Sequence, residues 1–187
     1  MKMAKALIPL ADGFEDIEAI TVVDVLRRGG VEVVTASIHD RRDVRSAHGV
    51  RMESDALFAE VGEESYDAII LPGGGEGTEN LKGCEPLAAR LRRQRDEGGL
   101  LCAICAAPTV LVAADALDPQ AEVTCYPTCQ DGLDRPWSPV PVIDSGNVIT
   151  GQAPGSALLF ALVVLQALAG EQVAYDVAQG MVTDVLD

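Results

Sequence analysis

The chain has 187 residues, 48% of them apolar, and a formal net charge of −15. That length allows one domain with a sizeable core, and the apolar fraction excludes a disordered chain. The charge disfavours nucleic-acid binding, which rests on Lys and Arg neutralising phosphates; the clusters Arg27-Arg28, Arg41-Arg42 and Arg92-Arg93 are short and read as solvated faces or turns.

No apolar leader with a cleavage site precedes the first strand-like segment, so no signal peptide is expected. Ala157 to Ala169 is too short to span a bilayer. A soluble, cytoplasmic protein without membrane contact is expected. The five cysteines are an odd number, and in a reducing compartment they do not form a disulfide framework.

Ala6-Leu7-Ile8-Pro9-Leu10 reads as a first strand, with Pro9 suggesting an edge position or strand end. Ala11-Asp12-Gly13 is turn chemistry. Glu15 to Arg28 reads as a helix with Ile17, Ile20, Val23 or Asp24, and Leu26 as its apolar stripe. Acids at its start and Arg27 and Arg28 at its end suit the dipole, and Gly29-Gly30 stops it. Val31 to Ala36 is a second strand, which completes a βαβ unit. Residues 38–47 read as a loop, and Val50-Arg51-Met52 as a short strand. Tyr66 to Leu71 is a buried strand ending in Pro72-Gly73-Gly74-Gly75. Glu85 to Glu97 is helical, and Gly98-Gly99 breaks it. Gly99 to Ile104 forms the next strand, which turns at Cys105 into a helix over Ala106 to Ala114. Ala121 to Cys125 reads as another strand. Gln130 to Pro141 is irregular. Val142-Ile143 and Val148-Ile149-Thr150 flank a hairpin turn. Gly155 to Ala169 and Glu171 to Gln179 are helices split at Gly170.

Strands alternating with helices predict a mostly parallel sheet covered on both faces, in a single domain over residues 1–187. Active sites of such folds lie at the carboxyl ends of strands. Asp12 to Glu18, Pro72 to Glu76 and Cys105 all fall at such ends.

Cys105 stands at a strand-to-helix corner, where unpaired N–H groups favour thiolate over thiol. The same corner exposes the serine of hydrolase nucleophile elbows. Glu18 reads on sequence alone as a surface carboxylate suited to the helix dipole. Its functional alternative is a buried carboxyl that hydrogen-bonds the thiolate, holds a proton and passes it on. The glycine loop lacks the Walker lysine and the dinucleotide fingerprint. An oxyanion hole shared with the Ala106 N–H suits it better. Cys102-x-x-Cys105 with Cys125-x-x-x-Cys129 invites a zinc site or a redox dithiol. Cys102, however, sits in an apolar strand and reads as core, and Cys84 and Cys129 read as incidental thiols. His39 and His48 fall in a charged loop, which leaves acid–base work to a carboxylate or Tyr126.

Several motifs in order resemble the ThiJ/PfpI superfamily, in the YajL-like branch that includes the parkinsonism-associated protein deglycase. They are Gly13-Phe14-Glu15-Asp16-Ile17-Glu18, Leu71-Pro72-Gly73-Gly74, Ala103-Ile104-Cys105-Ala106-Ala107-Pro108 and Ala153-Pro154-Gly155. The resemblance implies a flavodoxin-like three-layer α/β sandwich, a homodimer in which the first helix makes contact, and no cofactor or metal. It implies Cys105 as nucleophile, Glu18 as its carboxyl partner, and Gly73, Gly74 and Ala106 as oxyanion or substrate-binding positions. Tyr126 stands where relatives place histidine or an aromatic. The implied activity is of the glyoxalase or deglycase type, on methylglyoxal or glycated amines and thiols. The alternative is a redox-sensing stress protein or chaperone whose Cys105 is oxidised to sulfinate.

Overall fold

The computed structural model describes residues 3–185. Seven strands form one sheet in the order β5-β2-β1-β6-β7-β9-β8. They are β1 (Lys5–Leu10), β2 (Glu32–Ser37), β5 (Ala56–Leu57), β6 (Ala68–Leu71), β7 (Leu100–Ile104), β8 (Val142–Asp144) and β9 (Val148–Gly151). All neighbours are parallel except the β8–β9 hairpin. This is the expected flavodoxin-like arrangement. Among the described residues no helix is long and apolar enough to cross a membrane.

Side chains alternate across the strands and feed two separate cores. Ile8, Ile70 and Ile104 pack with α1 (Asp16–Arg28), α6 (Ala157–Ala169) and α7 (Glu171–Gly180) on one face. Leu7, Ile69 and Leu101 pack on the other with α3 (Gly75–Lys82), α4 (Glu85–Asp96) and α5 (Pro108–Ala113). A one-turn α2 (Phe58–Val61) adds Phe58 to that second core. The parallel strands are apolar nearly throughout because both faces are covered.

Several expectations are corrected. β1 is interior rather than at an edge, and of the two readings of Pro9 the strand end holds, since it is the penultimate residue of β1. Pro9 is tolerated because pairing to β6 involves Ala6 and Leu7, so the missing N–H falls beyond that ladder. The loop after β2 contains β3 (Asp43–Arg45), which pairs with β4 (Arg51–Glu53) in a small antiparallel ribbon. Residues 121–125 form no strand: Val123 makes one isolated bridge to Trp137, and the Thr124 N–H donates to Thr150 Oγ1 at 2.9 Å. The edge of β9 is already taken by β8. α3 is an element the sequence does not announce, because its two glycines and single leucine carry no apolar period. It is held instead by close packing, with the Gly77 N–H donating to Gly13 O at 3.2 Å.

The apolar stripe of α1 is partly rotated from expectation: Val23 and Leu26 are buried as expected, whereas Ile17 and Ile20 are not. Ala19, Val22, Val25 and Leu26 are buried together with Glu18. Ile17 and Ile20 are 56% and 47% exposed.

Candidate active site

β1, β6 and β7 are adjacent, so the three segments at their carboxyl ends meet. Cys105 follows β7 with φ at 64°, left-handed backbone that a non-glycine residue adopts at a cost. Its N–H donates to Gly151 O at 2.9 Å and its carbonyl accepts the Tyr126 N–H at 2.8 Å. Those bonds hold the corner from both sides and leave the side chain 8% exposed. Residues 105–107 form a turn and α5 begins at Pro108. The helix therefore starts two residues later than expected, and the N–H groups acting on the thiol are that of Ala106, ahead of α5, and that of Gly74, the N-cap of α3.

Glu18 is wholly buried, which corrects the plainer surface reading. Its backbone N–H is capped by the Glu15 carboxylate at 2.8 Å. Its Oε2 accepts the Gly73 N–H at 2.7 Å. A side chain at Gly73 would place a Cβ 2.8 Å from both Cys105 Cβ and Glu18 Oε2, so glycine is what lets the loop lie between them. Gly74, at φ +92°, could not carry a Cβ either, since it would stand 2.2 Å from Gly13 O. The Gly73 N–H, expected to serve an oxyanion, is thus committed to Glu18. The Gly74 and Ala106 N–H groups are the ones that act on the Cys105 sulfur.

Oε1 of Glu18 is buried with no hydrogen-bond partner. The Cys105 thiol does not meet standard geometry toward it, yet the two groups are close enough to shift each other. Burial first, then the Gly73 and Cys105 hydrogen bonds acting the other way, leave the Glu18 carboxyl raised to about 7. Burial and the Glu18 charge push the Cys105 thiol up to about 12, against the pull of the Gly74 and Ala106 N–H groups. Two negative charges are therefore excluded from this site at neutral pH. With the proton on Oε1, the orphan oxygen becomes a donor toward sulfur. The expected thiolate is therefore corrected: burial outweighs the Gly74 and Ala106 N–H groups and holds Cys105 as a thiol, and protonation of Glu18 relieves only the lesser of the opposing causes.

The Tyr126 backbone is tied to the elbow, while its side chain belongs to a residue 42% exposed. His39 Nε2 accepts the Asp12 N–H at 3.0 Å and His48 Nδ1 lies 2.8 Å from Asp16 Oδ2, so both histidines are engaged on the loop side. Cys102 and Cys105 belong to one core and Cys125 and Cys129 to the other, so the four sulfurs do not converge. Among the described residues, Glu15, Asp16 and His48 bring possible ligand atoms within 4.8 Å of one another. These atoms are already used: Glu15 caps α1, and Asp16 bonds Ser46 and His48. Sequence reasoning gave no sign of Glu15 as the cap that sets Glu18; an acid three residues before another at a helix start is the signal that could have found it.

The profile of the DJ-1/PfpI family matches residues 4–167. The chain is 36% identical over 180 residues to Protein DJ-1 homolog B of Arabidopsis thaliana, covering 95% of this chain but 41% of that protein, so it spans less than half the length of that relative. It is 37% identical over 174 residues to the glutathione-independent glyoxalase DJR-1.2 of Caenorhabditis elegans, covering 91% of each. The crystal structure of Drosophila melanogaster DJ-1beta superposes with a TM-score of 0.93 at 34% identity, covering 97% of this chain and 99% of that one.

Proposed function

The chain belongs to the DJ-1/PfpI family, and we propose that within it this protein is a cysteine-dependent, cofactor-free enzyme acting on reactive dicarbonyls such as methylglyoxal. The observation that carries the reading is the buried Glu18 carboxyl, raised to about 7 beside the Cys105 thiol. A carboxyl poised near neutrality can both give and take a proton.

The Cys105 thiolate adds to the aldehyde carbon, and the new oxyanion takes a proton to give a hemithioacetal. The Gly74 and Ala106 N–H groups meet the charge as it leaves sulfur for oxygen. Glu18, as carboxylate, removes the proton from the former aldehyde carbon and returns it to the neighbouring carbonyl carbon, while the hemithioacetal hydroxyl proton passes to the former ketone oxygen. The product is a lactoyl thioester on Cys105. Water releases lactate and regenerates the thiol, so methylglyoxal plus water gives lactate with no net oxidation. A glycated amine or thiol would be freed by the same adduct chemistry. Lactate formation from methylglyoxal by the wild type, abolished in Cys105→Ser, is the test; activity persisting in Cys105→Ser sinks the role.

The same buried Glu18–Cys105 pair supports a second reading, a peroxide sensor. A Cys105 sulfinate would carry the single charge, and protonated Glu18 would donate to it. Selective addition of two oxygens at Cys105 under mild peroxide, with negligible dicarbonyl turnover, would favour this reading over the first.

The exposed pair Ile17 and Ile20 on α1 supports a homodimer, since a second copy would cover them. Ile17→Asp should shift sedimentation from dimer to monomer; an unchanged dimer moves the interface elsewhere.

A further inference from the structure

Glu15 is the N-cap of α1, and Glu18 stands three residues on. In an ordinary capping box the carboxyl at that third position folds back onto the N-cap N–H, so it is spent on the helix itself. Here Gly73 replaces that return bond. The Glu15 N–H donates to Gly73 O at 3.0 Å, the Gly73 N–H donates to Glu18 Oε2 at 2.7 Å, and the Glu18 N–H donates to Glu15 Oε2 at 2.8 Å. Three residues close a ring of three hydrogen bonds, each acting once as donor and once as acceptor. Opening the box in this way turns the Glu18 side chain off the helix end and onto the glycine loop that lies against Cys105.

The ring is enclosed and tight. Glu15 is 7% exposed and Glu18 wholly buried, so water does not make good a bond lost here. A Cβ at Gly74 would stand 2.8 Å from the Glu15 nitrogen. Shorter polar side chains are the preferred N-caps, so glutamate is not what a helix end alone selects. The ionisable groups around the ring are Cys105, across Gly73, and Asp16 and His48, which bring side-chain atoms within 4.8 Å of the Glu15 carboxylate.

We propose that Glu15 is a positioning residue for the elbow chemistry: it accepts the Glu18 N–H while its own N–H holds Gly73, and so fixes the direction of the Glu18 carboxyl toward Cys105. It acts through Glu18 rather than on substrate. This rests on Glu18 and Cys105 being the working pair of the dicarbonyl reading, and it adds the residue that aims one at the other. Without an acceptor at Glu15 the ring opens at the Glu18 N–H, the first turn of α1 loses its cap, and the carboxyl no longer keeps one orientation. An amide oxygen accepts the same bond, so the acceptor is needed and the charge is not.

Two variants of the full chain test this. Glu15→Met keeps the side-chain length without an acceptor, and Glu15→Gln keeps the acceptor without the charge. Urea unfolding measures the stability of each. In Glu15→Met, kcat for lactate formation should fall by about 10- to 100-fold with KM little changed. Alkylation of Cys105 by iodoacetamide, followed by mass spectrometry, should shift to lower pH in the same variant, since Glu18 is, after burial, what holds the sulfur protonated. Glu15→Gln should restore both readouts. A methionine variant that is less stable yet keeps the wild-type kcat and alkylation profile would reduce Glu15 to a helix cap and overturn the proposal. A glutamine variant as impaired as the methionine one would overturn it too, by assigning the effect to charge. Alkylation reads the positioning without any dicarbonyl, so a wild type that forms no lactate sinks the dicarbonyl reading, and the alkylation profiles still decide the role of Glu15.

Discussion

Gly73 donates its backbone N–H to Glu18 Oε2 at 2.7 Å, and that bond leaves Glu18 Oε1 as the atom available to hold a proton toward Cys105. In the proposed mechanism, ionisation of sulfur and proton transfer between carbons pass through one carboxyl group but need different properties of it. Glu18→Gln separates them. Burial first and the Glu18 charge second push Cys105 up to about 12, and a neutral amide removes only the second, so Cys105 should still react with iodoacetamide, and at lower pH than a thiol facing a carboxylate. Lactate formation should fall by about 10²- to 10⁴-fold because an amide cannot accept the substrate proton. Parallel alkylation and turnover assays check this; equal losses in both would make Glu18 a structural support only.

Glu18 also links stability to pH. Its pKa is raised on folding from 4.5 to about 7, chiefly by burial. Below pH 4.5 the group is protonated in both states and costs nothing. As pH rises toward 7 the unfolded chain releases a proton that the folded chain keeps. Folding stability is lost across that window, by on the order of 3 kcal/mol, and stays lost above it. Glu18→Gln lacks this loss, so its stability relative to wild type should improve between pH 4.5 and pH 8. Urea unfolding at both values measures the difference, and a constant offset would show that Glu18 does not titrate there.

Gly73→Ala should damage the site more than its single methyl suggests. The new Cβ would meet Cys105 Cβ and Glu18 Oε2 at 2.8 Å and Ile104 O at 2.9 Å. Relief requires the loop to back away, which breaks the bond to Glu18. A destabilisation of about 1–3 kcal/mol is expected, with loss of Cys105 turnover. Retained activity at wild-type stability would mean that the loop can shift without consequence.

Strain at the elbow can be read separately from chemistry. Cys105 adopts φ of 64°, which costs a residue with a Cβ about 1 kcal/mol. Cys105→Gly should therefore be about 1 kcal/mol more stable than Cys105→Ala, although glycine is normally the weaker choice. Thermal melts of the two variants compare them directly, and an alanine variant of equal or greater stability would show the corner to be unstrained.

Much of the fold was legible because its signals are local. Apolar runs such as Ala68–Leu71, the paired glycines after α1 and the acid-to-base gradient along that helix each act within a few residues. The elbow at Cys105 was legible for the same reason, as a strand running into an alanine-rich turn. What failed was non-local. Residues 121–125 have strand composition but find the neighbouring edge occupied by β8. α3 lacks apolar periodicity and forms because Gly77 can pack against Gly13.

By itself the sequence determined most of the strands and helices of the parallel sheet and the place of Cys105 at a strand-to-turn corner, since these follow from periodicity and turn chemistry written along the chain. Only the tertiary structure decided that Glu18 is buried while Ile17 and Ile20 face outward. It likewise decided that Gly73 serves Glu18 whereas Gly74 and Ala106 serve the sulfur. The reason is physical: a carboxyl's exposure, proton and partner are set by what three neighbouring strands bring to their shared end, and no spacing within one segment encodes that.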